Sequence, residues 1–182
     1  MIIMEFKLEG NKIILRPMSK EDAEKLHDYS KEPKLNEYSG PYKSSKSLED
    51  AKAYILRCNE CIKESKSYHF GIYEKKNMNF VGVIGFVNVD AESKKGEIGF
   101  WVAKDYWNKG FMSEAVEMIT NFVFNELKFH RVYASFHELN KAVEKILQKA
   151  GYEKEGELKG ALFTKGKYYN DIIYGKINKT TD

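Results

Sequence analysis

The chain has 182 residues, with 30 Lys and Arg against 27 Asp and Glu for a formal net charge of +3, and 42% hydrophobic residues. That apolar share fills a core and excludes a largely disordered chain, while a mean hydropathy of -0.56 without a long apolar run excludes a membrane-spanning helix. Lys and Glu alternate instead of forming blocks, so neither nucleic acid nor a membrane surface is an expected partner, and the apolar start meets Glu5 too early for a signal-peptide core. A cytoplasmic protein with one domain over residues 1–182 is expected.

Lys12-Ile13-Ile14-Leu15-Arg16 reads as a short strand ended by Pro17, and Ser19 with Asp22 forms a capping-box-like start for a helix reaching about Lys31. Pro33, Ser39, Gly40 and Pro41 then break the chain. A loop with Tyr38 and Tyr42 follows, a candidate substrate-facing segment. Ser47 with Asp50 repeats the helix start ahead of Ala51, Ile55, Cys58 and Ile62, spaced by three or four. Cys58 and Cys61 have C-x-x-C spacing, which suits a redox pair or half a zinc site. The helical pattern already explains Cys58, no second pair exists and the four His are scattered, so two reduced structural cysteines and no metal are expected.

The period then changes to that of strands. His69-Phe70-Gly71-Ile72-Tyr73 and the run from Phe80 to Val87 flank a polar turn at 75–79, and a second turn at 90–95 leads to Glu97-Ile98-Gly99-Phe100-Trp101-Val102, giving three consecutive antiparallel strands. From Ser113 to Leu127 the helical period returns with Ala115, Met118, Ile119 and Phe122. The strand Arg131-Val132-Tyr133-Ala134-Ser135-Phe136 follows, and a strand–helix–strand unit implies parallel pairing. Asn140 caps a short helix stopped at Gly151-Tyr152, and two extended segments surround Lys165-Gly166-Lys167.

Tyr106-Trp107-Asn108-Lys109-Gly110-Phe111-Met112-Ser113 lies between strand and helix, where the first helical N–H groups have no internal partner. Gly110 permits close approach of an anion, Lys109 adds positive charge and the helix dipole favours a phosphate. Taken alone, the same segment also reads as an ordinary connection.

With Gly96 through Val102, Ser113-Glu114-Ala115, Phe129-His130-Arg131-Val132 and Asn140 through Tyr152, this segment resembles the GNAT superfamily of acetyltransferases. The similarity is greatest to the branch of ribosomal-protein N-terminal alanine and serine acetyltransferases, with their W-G-K-G-Y-A-T-E-A turn and L-H-R-V-x-A strand. It covers nearly the whole chain, from Leu15-Arg16-Pro17 to Tyr174. The implied fold is α/β (α+β): a mixed, mostly antiparallel sheet of about six to seven strands, helices on both faces, and a splay between the fourth and fifth strands.

The resemblance implies transfer of acetyl from acetyl-CoA to an amine directly in a ternary complex, without a metal. The implied cofactor contacts are Phe100, Trp101 and Val102 along the pantetheine arm, Trp107, Asn108, Lys109, Gly110, Phe111, Met112 and Ser113 around the pyrophosphate, and Asn140. Met112 stands where the family has Gly or Ala and is expected to narrow the approach to the phosphates. Glu97 matches the family's proton-accepting carboxylate, and the Val102 N–H is placed to polarise the thioester carbonyl. Val143 and Leu147 stand where relatives carry hydroxyls, leaving no matched general acid. Tyr38, Tyr42, His69 and Tyr174 are candidates to line the acceptor side. The acceptor, a peptide N-terminus (including that of a ribosomal protein) or a small amine such as a polyamine, stays open, as does a homodimer. An acyl-CoA-binding sensor of the same fold is the alternative that Met112, Val143 and Leu147 favour.

Overall fold

The computed structural model describes residues 6–33, 35 and 46–179. Their strands are β1 (Leu8–Glu9), β2 (Ile13–Arg16), β3 (Tyr68–Glu74), β4 (Phe80–Asp90), β5 (Lys95–Val102), β6 (Arg131–His137), β7 (Glu153–Thr164) and β8 (Lys167–Ile177). Their helices are α1 (Ala23–Ser30), α2 (Leu48–Lys63), α3 (Phe111–Asn125) and α4 (Lys141–Lys149), with short 3-10 turns at Lys20–Asp22 and Lys104–Tyr106. The eight strands form one sheet in the order β1-β2-β3-β4-β5-β6-β8-β7. The sheet has one strand more than the sequence suggests, because a two-residue strand carries too little pattern to recognise; the remaining seven fall where the period changes.

Each start signal works as the residue chemistry requires. The Asp50 N–H donates to Ser47 Oγ at 3.1 Å and the Ser47 N–H to Asp50 Oδ2 at 3.0 Å, so two donors at the start of α2 are satisfied reciprocally. At Ser19 the backbone N–H donates to Asp22 Oδ2 at 2.7 Å, and one 3-10 turn precedes α1. At the far end of α4, Gly151 takes φ +79°. There the Tyr152 N–H returns to the Leu147 carbonyl at 3.0 Å, the left-handed stop that glycine permits.

Two apolar clusters lie on opposite faces of the sheet. One packs Ala115, Val116, Ile119 and Val123 of α3 and Leu147 of α4 against Phe70, Ile84, Ile98, Val132 and Ala134. The other packs Leu26 of α1 and Ala51, Ile55 and Cys58 of α2 against Tyr73, Phe80 and Val83. Helices therefore cover both faces.

All neighbouring strands are antiparallel except β5 and β6, which α3 connects and which run parallel. Their pairing is confined to Lys95 with Arg131, Gly96 with Val132 and Glu97 with Tyr133. Beyond Glu97, β5 stays paired to β4 as far as Val102 and β6 stays paired to β8 as far as His137. The two strands thus part within the sheet, between the fourth and fifth segments recognised in the sequence.

Candidate active site

The opening between β5 and β6 has a polar main-chain wall. The Ala103 N–H bonds back to the Val81 carbonyl at 2.8 Å, and Val102 is the register partner of Gly82. Val102 therefore sits at a pair not bonded to β4, and its own N–H and carbonyl point into the opening. Alternation turns the main chain of Phe100 the same way. The side chains of Phe100 and Val102 pack on the α3 cluster and Trp101 on the α1–α2 cluster, so the wall is rigid on both faces.

The loop after β5 ends at the mouth of this opening. The indole N–H of Trp107 donates to the Val102 carbonyl at 2.8 Å, and the Lys109 ammonium lies 4.7 Å from the centroid of the Tyr106 ring. Gly110, with φ +81° and ψ 3°, is the N-cap of α3, and no side chain caps the helix. The Glu114 N–H is the first to find a helical partner, the Gly110 carbonyl at 3.2 Å, so the N–H groups of Phe111, Met112 and Ser113 remain at the positive end of the helix. Asn108, also at positive φ, is exposed with Lys109 and Gly110.

Met112 corrects an expectation. Its side chain is 5% exposed and belongs to the core beneath α3, because the helix begins at Phe111 and directs position 112 inward. It does not narrow the loop. Lys12 is an addition that sequence reasoning missed. Its ammonium donates to the Lys109 carbonyl at 3.2 Å and its backbone N–H to Glu114 Oε1 at 2.9 Å, so the start of β2 brings a second positive charge to the loop. No local pattern encodes a contact between positions so far apart.

Glu97 stands where β5 and β6 part. Its carboxylate accepts from Asn88 Nδ2 at 2.8 Å and from Ser135 Oγ at 2.9 Å, the latter across the opening. Asp171, on β8 opposite His137, is near enough for its carboxyl to be pushed above the usual range by burial and then by the Glu97 charge. Burial and Glu97 likewise raise the Tyr133 phenol. Asn88 and Ser135 were not anticipated, since neither belongs to a motif.

On the face that carries Glu97 and Trp101, the residue between them is Gly99, opposite Gly85, which is opposite His69. A floor without side chains therefore runs from the opening to His69. His69 Nε2 pairs with Ser67 Oγ at 3.0 Å, its Nδ1 has no partner, and burial lowers the imidazole to about 4, leaving the ring neutral at pH 7. Tyr174 lies apart from this group. It is 3% exposed on the α4 face, packs on Phe136, and its hydroxyl meets Gln148 Nε2 at 3.1 Å and Glu144 Oε1 at 3.2 Å. Asn140 Oδ1 accepts from the Val143 N–H at 3.3 Å and caps α4. Leu147 is core, with no exposure. Tyr38 and Tyr42 lie outside the described residues.

Both cysteines are free thiols on α2, and burial raises Cys58 to about 12, which makes it a poor nucleophile. Among the described residues, no three His, Cys, Asp or Glu side chains gather as metal ligands, and no helix is long and apolar enough to cross a membrane.

A family model described as the acetyltransferase (GNAT) domain matches residues 12–153. The chain belongs to the GNAT acetyltransferase family and is an acyltransferase. The uncharacterized N-acetyltransferase YoaA of Bacillus subtilis is 27% identical over 92% of this chain and 94% of its own. The ribosomal protein uS5 alanine N-acetyltransferase of Escherichia coli is 23% identical over 94% of this chain and 90% of its own.

Solved structures share the fold. The ribosomal-protein-S5-alanine acetyltransferase of Vibrio fischeri superposes with a TM-score of 0.86 at 24% identity, covering 98% of this chain and 100% of that one. The microcin C7 self-immunity acetyltransferase MccE, solved with acetyl-CoA and AMP, gives 0.81 at 21% identity, covering 92% and 93%.

Proposed function

We propose that this chain, as one cytoplasmic domain, moves the acetyl group of acetyl-CoA to a primary amine by direct attack in a ternary complex. The observation that carries this reading is the opening itself: one wall offers main-chain groups, an uncapped helix start lies at its mouth, and a carboxylate stands where the strands part.

The N–H groups of Phe111, Met112 and Ser113 hold the pyrophosphate, with the ammonium groups of Lys109 and Lys12 adding positive charge and Trp107 and Asn108 shaping the loop. Main-chain groups of Phe100 and Val102 bond the pantetheine arm, Trp101 closes the floor, and Asn140 reaches the arm from the β6 side. The Val102 N–H polarises the thioester carbonyl, where donors aimed at developing negative charge contribute most. Glu97 accepts a proton from the amine as nitrogen bonds the acetyl carbon, and the C–S electron pair leaves on sulfur. A thiol titrates near pH 8.5, so the thiolate departs without a dedicated acid.

The acceptor enters over the Gly85–Gly99 floor, past His69 and the loop containing Tyr38 and Tyr42. A floor lacking side chains suits an extended peptide N-terminus better than a compact amine, and a relative named as a ribosomal protein uS5 alanine N-acetyltransferase supports that preference.

Thermal unfolding with acetyl-CoA, with ATP and NAD as controls, tests cofactor use. At about a hundred times the dissociation constant, binding adds roughly 2.7 kcal/mol, about 5–10 °C for a chain this long. Transfer to peptide N-termini and to polyamines then identifies the acceptor. No shift at millimolar acetyl-CoA overturns the reading.

A further inference from the structure

Asn140 is delivered to the start of α4 by two overlapping turns. His137, the last residue of β6, accepts twice: its carbonyl takes the Asn140 N–H at 2.8 Å and its ring Nδ1 takes the Leu139 N–H at 3.2 Å. Asn140 itself, at φ -81° and ψ 70°, is the centre of an inverse γ-turn closed by the Lys141 N–H on the Leu139 carbonyl at 2.9 Å. The N–H groups of Leu139, Asn140 and Lys141 are thus all bonded within the connection, which sets the direction of Asn140 before the helix begins.

The ring bond imitates one that asparagine and aspartate make. Nδ1 of histidine is attached to Cγ, as Oδ1 of asparagine is, so either acceptor reaches the N–H two residues further on. A neutral ring nitrogen that accepts carries no proton, so the His137 proton belongs to Nε2.

Packing holds the ring in this orientation. His137 is 6% exposed, and its ring centroid lies 4.4 Å from that of Tyr169 on β8. The next residue is tied to the same strand from both sides: the Glu138 N–H donates to the Asn170 carbonyl at 3.1 Å, and the Asn170 N–H donates to Glu138 Oε1 at 2.7 Å. Asn140 Oδ1 is spent on the Val143 N–H, so the group it has left for a ligand is the Nδ2 donor.

We propose that His137, as the Nε2-protonated tautomer, is the positioning residue for Asn140, holding its amide where it donates to the pantetheine arm of acetyl-CoA. This rests on the reading of Asn140 as a contact of that arm for its use, and on the turn bonds for its existence. His137 acts through Asn140 and exchanges no proton in the transfer.

Two variants separate the ring nitrogens. His137→Asn keeps an acceptor at the place of Nδ1, whereas His137→Gln carries it out to the place of Nε2 and loses the turn bond. Titration calorimetry on the full chain should find the Kd for acetyl-CoA raised about three- to tenfold in His137→Gln, the worth of one neutral hydrogen bond, and within about twofold of wild type in His137→Asn. A role in packing alone gives the opposite order, because Gln is nearer to His in volume. That order, or equal losses, overturns the proposal.

A double-mutant cycle tests the route. With Asn140→Ala already in place, His137→Gln should add less than about twofold, since the residue it acts through is gone. Additive losses overturn the proposal, as does an Asn140→Ala chain that binds as tightly as wild type. Long-range proton–nitrogen NMR of the imidazoles at pH 8, with His137→Asn assigning the signal, should show Nδ1 bare and Nε2 protonated; the reverse overturns the turn bond whatever the variants do. A wild type that binds no acetyl-CoA fails the transferase reading and with it the use of the turn, and the tautomer still reports whether the turn is built as described.

Discussion

The indole N–H of Trp107 reaches back five residues to the Val102 carbonyl, closing the loop onto the end of the strand whose main chain faces the opening. Trp107 is 37% exposed, so the bond positions more than it stabilises. Trp107→Phe keeps the ring and removes the donor. Stability should change by less than about 1 kcal/mol, since water replaces the lost partner. Affinity for acetyl-CoA should fall by roughly three- to tenfold as the loop loosens, read by titration calorimetry.

Gly110 holds φ +81° at the start of α3. A side chain there meets no backbone, only the Lys12 ammonium at 3.4 Å, so the cost of substitution is conformational. Gly110→Val is expected to lose about 1–2 kcal/mol in urea unfolding and to abolish the acetyl-CoA thermal shift. Retention of the full shift would show that the helix start does not hold the anion.

His69 titrates near 6.5 when unfolded and at about 4 in the fold, where burial disfavours the imidazolium. The folded state therefore binds fewer protons between those values. Its contribution is complete above about pH 6.5 and is lost as pH falls toward 4, amounting to about 3 kcal/mol at most. In His69→Gln the fall in stability between pH 6.5 and pH 4 should flatten, as measured by urea unfolding at a series of pH values.

Leu147, on the inward face of α4, is fully buried. Leu147→Ala should cost about 2–5 kcal/mol, the range for emptying a leucine site in a packed core. A loss below 1 kcal/mol would mean that α4 is not seated on the core as described.

The strands and helices were legible because their signals are local: alternation across β3 to β5, capping boxes at Ser19 and Ser47, the glycine stop at 151. The place of residues 107–113 between a strand and a helix, and of Glu97 on that strand, was legible through a collinear pattern. Lys12, Asn88 and Ser135 were not, since each acquires its role from a partner on another strand or loop. Met112 and Tyr174 misled for the converse reason. A residue type suggests what a side chain can do, and only packing decides which face it serves. Met112 is turned into the core by the helix that begins one residue earlier, and Tyr174 by the alternation of β8.

The three residue pairs joining β5 to β6 are a seam between unequal half-sheets, five strands on one side and three on the other. Amides along the open edge, at Phe100 and Val102, have no strand partner to slow their exchange with solvent, whereas those facing β4 do. A ligand that bonded to this edge would act as a stitch, tying the halves along a line where the main chains of β5 and β6 no longer pair. Binding would then register as stiffness across the whole sheet, and slowed exchange at Phe100 and Val102 would trace how far the stitch extends.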